Sequence, residues 1–268
     1  MEQSELTYID LFSGAGGFSL GFEMAGFKNL FALDIESEFS KTYKKNFPKH
    51  KLIIKDICNL SENEIIELIK NTKVDVIIGG PPCQGFSIAG NIGRKFIDDP
   101  RNSLFKEYAR VISIVKPSFF VMENVARLHT HNKGETRKEI LATFENMGYS
   151  VECKILNSVD YGVAQERRRV IFIGSLNKDI KINFPKKISE KQKTVKEVIS
   201  HFPPLKSGEK SSIPNHNAMS HTTQMLEKMS YLSDGGNREQ IPKNLRPKSG
   251  DVRKYIKYKS DAPSICIT

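Results

Sequence analysis

The chain has 268 residues, a hydrophobic fraction of 38% and a formal net charge of +10. No apolar run approaches the roughly 20 residues that cross a bilayer, and the acidic first residues lack the order of a signal peptide. We therefore expect a cytoplasmic protein with no membrane association. The four cysteines are scattered without a Cys-x-x-Cys pair, which argues against a disulfide framework and a structural zinc site.

Nearly all of the excess positive charge lies in the last third of the chain. Residues 1–177 contain 23 Lys and Arg against 22 Asp and Glu, whereas residues 178–268 contain 18 against 9. A basic segment of this kind is typical of a surface that faces a polyanion such as nucleic acid. The alternative is an ordinary solvated surface that is rich in lysine.

The first predicted strand leads directly into a glycine-rich turn. Residues 6–12 read as a strand, and the sequence SGAGG at 13–17 follows before a helix begins. A strand, a glycine turn and a helix start allow backbone N–H groups to approach a nucleotide-like ligand. The spacing differs from the Gly-x-Gly-x-x-Gly dinucleotide fingerprint, so it does not indicate NAD.

The next two predicted strands also end in residues that can bind a ligand. The strand at 30–34 ends at Asp34, whose carboxylate can accept hydrogen bonds from ribose hydroxyls or cap the following helix. The strand at 52–57 ends at Asp56 and Ile57, which offer an acceptor for an adenine amino group and an aliphatic surface for the ring. Three successive strand ends of this kind favour a nucleotide-like ligand.

A rigid turn presents a cysteine after the fourth predicted strand. The strand at 74–78 is followed by GGPPCQGFS at 79–87, in which two prolines fix two φ angles and remove two donors. Cys83 therefore follows a strand end, where open α/β sheets place their ligands. The alternative for a lone cysteine is a small buried hydrophobe. The polar loop at 85–99 has the glycines and basic residues of a lid over nucleic acid.

Two further segments bring charged side chains toward the same edge of the sheet. A helix is predicted at 103–115, and the strand at 118–122 then delivers Glu123, which can serve as a proton donor or form a structural salt bridge. Three arginines at 167–169 run directly into an apolar strand. A buried arginine there needs an acceptor such as a base carbonyl, a phosphate or Glu123, whereas the alternative is a solvated arginine patch.

The alternation of strands and helices stops at residue 178. Prolines divide residues 178–268 into short pieces, which predicts a smaller subdomain with little regular helix and some short strands. The larger domain then covers residues 1–177. His216 and His221 lack Cys or Asp partners at ligand spacing, so we expect no metal.

Four motifs occur in the order FSGAGG (12–17), PPCQGFS (81–87), ENV (123–125) and QERRR (165–169). Together they resemble the cytosine-C5 DNA methyltransferases of bacterial restriction–modification systems. The resemblance covers residues 6–175 densely. It implies an α/β, Rossmann-like fold of the S-adenosylmethionine-dependent methyltransferases over residues 1–177, and a small, irregular, partial target-recognition domain over residues 178–268.

The resemblance also implies a role for each residue in the matching motifs. The catalytic residues would be Cys83 as the nucleophile, Glu123 at cytosine N3 and N4, Arg169 at cytosine O2, and Arg167 in support. The residues that bind S-adenosylmethionine would be Phe12, Gly14, Gly16, Asp34, Ile35, Asp56, Ile57, Pro82 and Leu104. The residues that bind the DNA substrate would include Gln84, Ser87 and Arg101.

These residue types suit methylation of a weakly nucleophilic ring carbon. Addition of the Cys83 thiolate to C6 makes C5 nucleophilic, while Glu123 and Arg169 stabilise the charge that develops on the ring. The cytosine must first be flipped out of double-stranded DNA, at a cost of roughly a few kcal/mol. Contacts from the basic residues of 178–268 to phosphates would offset that cost.

One departure from the family pattern concerns the end of the chain. Family members continue past the recognition domain to a Gly-Asn-x-Val motif whose Asn returns to the cofactor pocket, and the Gly-Asn pairs at 90–91 and 236–237 do not match it. We therefore expect one subunit of a split enzyme, a truncated product or a shortened chain. In the first case a second polypeptide would supply the missing motifs. In each case the resemblance implies a functionally linked cognate restriction endonuclease.

Two other functions remain alternatives at this point. Methylation of tRNA by relatives with the same fold is the nearest, but those relatives tend to have Thr at the position of Ser87 and lack a large basic region. A non-catalytic DNA-binding or regulatory remnant is the other. The presence of Cys83, Glu123 and Arg169 together argues against a remnant.

Overall fold

The computed structural model describes residues 5–82, 103–188, 191–246 and 255–266. The chain divides into two compact units. Unit 1 comprises Met1–Leu156 and Arg168–Pro185, and unit 2 comprises Asn157–Arg167 and Lys186–Thr268. Each unit is described by itself below.

Unit 1 is built on a seven-stranded sheet with strand order β3-β2-β1-β4-β5-β7-β6. The strands are β1 (Thr7–Leu11), β2 (Lys28–Asp34), β3 (Leu52–Ile54), β4 (Val76–Gly79), β5 (Phe119–Val125), β6 (Ser150–Asn157) and β7 (Arg168–Ser175). Strands β1 to β5 pair in parallel with their neighbours, and β7 runs antiparallel to β5. This sheet confirms the predicted α/β class.

Helices connect the strands of unit 1. They are α1 (Gly17–Met24), α2 (Ser37–Asn46), α3 (Glu62–Ile69), α4 (Ser103–Val115) and α5 (Glu135–Asn146). Local sequence explains individual ends: the Ser61 side chain accepts from the backbone N–H of Glu64, whose carboxylate accepts from the N–H of Ser61, so α3 begins with a capping box. Helix α4 has the bounds that the sequence predicts and ends before Pro117.

The core of unit 1 fills the space between the sheet and α4 and α5 with aromatic rings. Phe120 on β5 packs against Phe144 on α5, with ring centroids 4.2 Å apart, and both are fully buried. Tyr108 on α4 donates to the carbonyls of Ile77 and Val121 and so joins two strands. Because a Cβ at Gly79 would lie 2.7 Å from the Leu11 carbonyl oxygen, glycine is required where β4 leaves the sheet.

Two predicted elements differ from the structure. The strand predicted at 52–57 ends at Ile54, because Asp56 accepts a hydrogen bond from the N–H of Cys58 and starts a 3₁₀ turn, Ile57–Asn59. Asp34 does not cap α2, whose N-cap residue is Glu36.

Unit 2 has little regular structure in its described residues, as predicted. It contains α6 (Val195–Ile199), α7 (Thr223–Ser230) and 3₁₀ turns at Ser158–Tyr161 and Arg238–Gln240. The predicted short strands are absent from the described part of residues 178–268, where isolated β-bridges such as Lys210 with Asn217 occur instead. Prolines and glycines interrupt the segment too often for a ladder to extend.

None of the helices that the structure describes, in either unit, combines the length and the apolar character that a membrane span requires.

Candidate functional site

The glycine-rich turn lies at the carboxyl end of β1, in the middle of the parallel strands. Phe12 has φ +61°, an uncommon value for a residue with a side chain, and Gly14 and Gly16 have φ +53° and +94°. These left-handed conformations turn the chain sharply from β1 into α1. A Cβ at Gly16 would overlap the ring of Phe47, so glycine here also permits α2 to pack against the turn.

Asp34 at the end of β2 fixes this turn. Its carboxylate accepts a hydrogen bond from the N–H of Gly14 at 2.7 Å and another from the N–H of Glu36 at 2.8 Å. The side chain is buried, with 9% exposure, yet each carboxylate oxygen has a further lone pair. Asp34 therefore orders the turn and can still accept hydrogen bonds from a ligand.

The surroundings of the turn fit a bound cofactor. Around both Gly14 and Gly17 a Cβ would meet nothing within 4 Å, so there is open space beside the backbone. The buried hydroxyl of Ser13 has no hydrogen-bond partner among the described residues. Ile35 exposes 59% of its surface and offers an apolar face next to Asp34. An unpaired hydroxyl, open glycines and an exposed aliphatic side chain suit an adenosyl group.

The other predicted cofactor residues vary in accessibility. Asp56 is half-buried, and its carboxylate accepts from the N–H of Cys58 at 2.9 Å. Ile57 is 2% exposed and belongs to the hydrophobic core, so its packing surface faces inward. Leu104 on α4 is half-buried against the same core, and Pro82 is exposed.

Glu123 and Arg169 lie together at the edge where β5 and β7 pair. Their strands are antiparallel neighbours, and the Nε of Arg169 lies 2.6 Å from the Oε1 of Glu123. The side chains are 26% and 22% exposed, so the pair is partly shielded from water and open on one side. Glu123 is one of the partners that the sequence offers for such an arginine, and the two side chains form an ion pair.

Asn124 joins this edge to the turn that precedes Cys83. It is 4% exposed, and its side-chain amide donates to the Pro81 carbonyl at 3.0 Å. Its side-chain oxygen accepts from the N–H of Val125 at 2.8 Å. A Cβ at Gly80 would lie 3.1 Å from the Glu123 carboxylate, so β4 continues directly past that side chain. The chain therefore passes Glu123 at Gly80, just before Pro81 and Pro82.

Some predicted site residues are not seen in this arrangement. Cys83, Gln84, Ser87 and Arg101 lie outside the described residues, as does the predicted lid at 85–99. Arg167 belongs to unit 2, where its guanidinium lies 3.4 Å from the Cys266 sulfur and its N–H donates to Asn157 and Ser158.

Sequence reasoning assigned no role to three polar residues near the site: Asp10, Ser13 and Asn124. Asp10 is 1% exposed in the middle of β1, and burial raises the pKa of its carboxyl to about 7. Its signal in the sequence is a lone carboxylate inside the apolar strand TYIDL. Asn124 lies within the ENV motif, but its contact with the Pro81 carbonyl depends on how β4 and β5 pair.

Comparison with known proteins identifies the family. A family model described as C-5 cytosine-specific DNA methylase matches residues 6–264. The chain is 57% identical over 263 residues to Type II methyltransferase M1.HphI of Haemophilus parahaemolyticus, covering 98% of this chain and 70% of that protein. It is 36% identical over 279 residues to Type II methyltransferase M.DdeI of Desulfomicrobium norvegicum, covering 92% of this chain and 66% of that protein.

Solved structures show the same fold. A prophage-encoded E. coli protein that was assigned as a DNA modification methyltransferase superposes with a TM-score of 0.74 at 25% identity, covering 97% of this chain and 82% of that one. A methyltransferase from Entamoeba histolytica superposes with a TM-score of 0.63 at 20% identity, covering 96% and 83%. The predicted Rossmann-like methyltransferase fold is thus confirmed, and the chain belongs to the C-5 cytosine-specific DNA methylase family, whose members use S-adenosylmethionine.

Proposed function

We propose that this chain transfers a methyl group from S-adenosylmethionine to C5 of a cytosine that is flipped out of a specific double-stranded DNA sequence. The observation that carries the proposal is the Glu123–Arg169 pair, because it is partly open and stands beside the strand end that leads to Cys83. The function rests on a carboxylate, a guanidinium and a thiol acting on one ring.

In this reaction the Cys83 thiolate forms a bond to C6 of the cytosine, and the electron pair of the C5–C6 double bond moves toward C5. Glu123 stabilises the ring by protonating or hydrogen-bonding N3, and it accepts from the N4 amino group. Arg169 donates to O2. After C5 has gained the methyl group, a base removes its proton and the C6–sulfur bond breaks, which restores the double bond and the thiolate.

S-adenosylmethionine supplies an electrophilic methyl group when it is bound. Asp34 would accept from its ribose hydroxyls, and the backbone of Phe12, Gly14 and Gly16 would border it. Ile35 is exposed beside Asp34 and would lie against the adenine. Asp56 would accept from the adenine amino group, Ile57 would pack near the adenine, and Pro82 and Leu104 would line the same pocket.

A covalent trap tests the reaction. DNA of mixed sequence is amplified with 5-fluorodeoxycytidine triphosphate, so that every possible site carries fluorine at C5, which cannot leave as a proton does. With S-adenosylmethionine present, the wild-type chain should form an adduct that survives denaturing electrophoresis. The Cys83→Ser variant should form none, while Cys153→Ser, which alters a half-buried cysteine on β6, should behave as wild type. Absence of adduct with the wild-type chain would contradict the proposal.

We further propose a biological setting. Methylation by this chain would protect DNA from a cognate restriction endonuclease in a bacterial cytoplasm. The named relatives are Type II methyltransferases, which supports this setting. Digestion of host DNA by that endonuclease, with and without an intact gene for this chain, measures the protection.

We also propose that a second polypeptide contributes to the cofactor side of the site. Leu20 and Met24 lie four residues apart on α1 and are 52% and 81% exposed, which gives the helix an apolar face in unit 1. Titration of the isolated chain with S-adenosylmethionine tests this requirement. We expect weak binding and slow turnover, and full-strength binding and turnover by this chain alone would refute the requirement.

A further inference from the structure

A chain of polar contacts runs from the centre of the sheet in unit 1 toward its surface. The Asp10 carboxylate accepts from the Ser19 hydroxyl at 2.6 Å, and the Ser19 hydroxyl lies 2.8 Å from that of Tyr43. The Tyr43 hydroxyl lies 3.0 Å from Nδ1 of His50. The other ring nitrogen of His50 contacts the carboxylate of Glu23.

Burial increases along this chain from Glu23 to Asp10. The side chain of Glu23 is 41% exposed and that of His50 is 8% exposed, whereas Tyr43 and Ser19 are fully buried and Asp10 is 1% exposed. The His50 ring stacks on Phe47 with centroids 4.8 Å apart and an interplanar angle of 13°. This stacking holds the imidazole ring of His50 in the orientation in which Nδ1 contacts Tyr43 and Nε2 contacts Glu23.

Counting donors gives two arrangements of protons with the same total. If Asp10 is ionised, Ser19 donates to it, Tyr43 donates to Ser19 and His50 Nδ1–H donates to Tyr43, so that His50 must be an imidazolium to donate also to Glu23. If Asp10 is protonated, every bond reverses, and a neutral His50 with its proton on Nε2 still donates to Glu23. The two states differ only in whether one proton resides near Asp10 or near His50.

We propose that Asp10, Ser19, Tyr43 and His50 share one proton and act together as positioning residues for the glycine-rich turn. This inference rests on the proposed function only where it concerns the cofactor. It assigns these side chains no contact with the reacting atoms. Their effect is exerted through the elements that they join: β1, α1, α2 and the segment after α2.

The geometry shows how the shared proton acts on the turn. Asp10 lies two residues before Phe12, and Ser19 lies in the first turn of α1, so the Asp10–Ser19 bond spans the base of the turn. A Cβ at Gly16 would lie 3.0 Å from the Tyr43 ring, so the turn packs directly on this side chain. Loss of the proton leaves two acceptors facing each other somewhere in the chain, which loosens the contacts that shape the turn.

Other ionisable groups face Asp10 from each element packed against it. Burial first, and then the hydrogen bond from Ser19 and the charge of Asp34, set the pKa of Asp10. Tyr8 on its own strand, Tyr43 on α2 and Tyr108 on α4 all have pKa values raised by burial and further by the Asp10 charge. The ionisable neighbours that the structure describes around Asp10 are therefore Asp34 and these three tyrosines. The hydrogen bond with Ser19 connects Asp10 to the shared proton.

Nuclear magnetic resonance of the histidine ring nitrogens in the full chain tests the shared proton. Asp10→Asn keeps the shape and removes the anion, so only the arrangement with the His50 proton on Nε2 remains, and the spectra should show that tautomer alone. Tyr43→Phe should interrupt the chain and change the His50 tautomer. Tyr149→Phe removes another buried hydroxyl, which donates to the Pro117 carbonyl, and should leave His50 as in wild type.

Cofactor binding provides the second measurement. The dissociation constant of S-adenosylmethionine should change with pH between 6 and 8 in the wild type and in Tyr149→Phe, but remain flat in Asp10→Asn. Unchanged His50 ring-nitrogen spectra in Asp10→Asn, or identical His50 spectra in Tyr43→Phe and Tyr149→Phe, would overturn the inference. If no variant and no wild-type chain binds S-adenosylmethionine even at concentrations that saturate a weak site, the proposed cofactor site fails while the ring-nitrogen result still decides the shared proton.

Discussion

The pairing of Glu123 with Arg169 affects what each side chain could offer to the cytosine in the proposed reaction. The guanidinium balances the charge of the carboxylate at the edge where β5 and β7 pair. Both side chains stay partly exposed, so neither bears the full cost of burying a charge. A buried, unpaired charge at either position would be costly, so each side chain stabilises the other until a substrate provides new partners.

Glu123→Gln should reduce the rate of methyl transfer without changing the fold. The amide keeps the shape and can still accept from Arg169, but it cannot donate a proton to N3. We expect the rate of methyl transfer to fall by about 10²- to 10⁴-fold, the usual contribution of a general acid. Steady-state transfer of a radiolabelled methyl group to mixed-sequence DNA measures the rate, and calorimetry should show unchanged affinity for S-adenosylmethionine.

A similar ion pair on α4 provides the control. Arg110 Nε lies 2.7 Å from the Glu107 carboxylate, with comparable exposure of 32% and 22%. Glu107→Gln removes the same charge from a pair that lies on the helix surface and also involves the carbonyls of Ile57 and Leu60. It should retain full activity. Equal losses in the two variants would show that Glu123 acts through stability alone.

At the scale of elements, the end of β5 holds the Pro81 carbonyl, shortly before Cys83, the proposed nucleophile. Asn124→Ala removes the donor to the Pro81 carbonyl, and a buried acceptor left unpaired costs about 1–3 kcal/mol. We expect covalent trapping on fluorinated DNA to slow by roughly tenfold or more, since about 1.4 kcal/mol in a barrier is tenfold in rate. Asn29→Ala, which removes a donor to the Phe31 carbonyl, should trap at the wild-type rate.

The glycine turn between β1 and α1 contains two glycines with different tasks. Gly16→Ala would overlap the Phe47 ring at φ +94°, so we expect a loss of roughly 2–5 kcal/mol in the free energy of unfolding. Gly14→Ala meets no neighbour, so only the left-handed conformation is penalised, at about 1–2 kcal/mol. Its Cβ would instead enter the open space, and S-adenosylmethionine should bind more weakly. Urea unfolding and calorimetry together distinguish the two effects.

Elements set by local pattern could be predicted from the sequence, whereas tertiary contacts could not. The bounds of α4 follow from an apolar helical pattern and a proline beyond its end. The end of β3 depends on the Asp56 side chain folding back onto the N–H of Cys58, which competes with strand extension. The chain from Asp10 to Glu23 joins residues that are distant in sequence, and its pairings depend on the packing of α1 and α2.

Asp10 should make the free energy of unfolding of unit 1 depend on pH. Its folded-state pKa of about 7 exceeds the ordinary 3.8, so between these values the unfolded chain releases a proton that the folded chain retains. Stability therefore falls as pH rises from about 4 to 7 and then levels off. Asp10→Asn lacks this dependence. Its stability relative to wild type should rise across that window by at most about 4 kcal/mol, at roughly 1.4 kcal/mol per pH unit. Urea unfolding at several pH values measures the difference, and a constant difference would contradict the assignment.

Because the excess positive charge lies in residues 178–268, we predict that lysines of this segment determine how strongly salt weakens DNA binding. Each phosphate contact by Lys or Arg adds about −0.9 to the slope of log affinity against log salt concentration. Changing Lys193, Lys206 and Lys210 to Gln in the basic third should therefore make the slope shallower, by up to about 3 if all three contact phosphates. Changing Lys44, Lys45 and Lys49 to Gln in unit 1 lowers the net charge equally but should leave the slope unchanged. Fluorescence anisotropy with labelled duplex DNA at several salt concentrations measures both. Equal changes in the two triple variants would mean that net charge, rather than a basic surface in residues 178–268, determines the affinity.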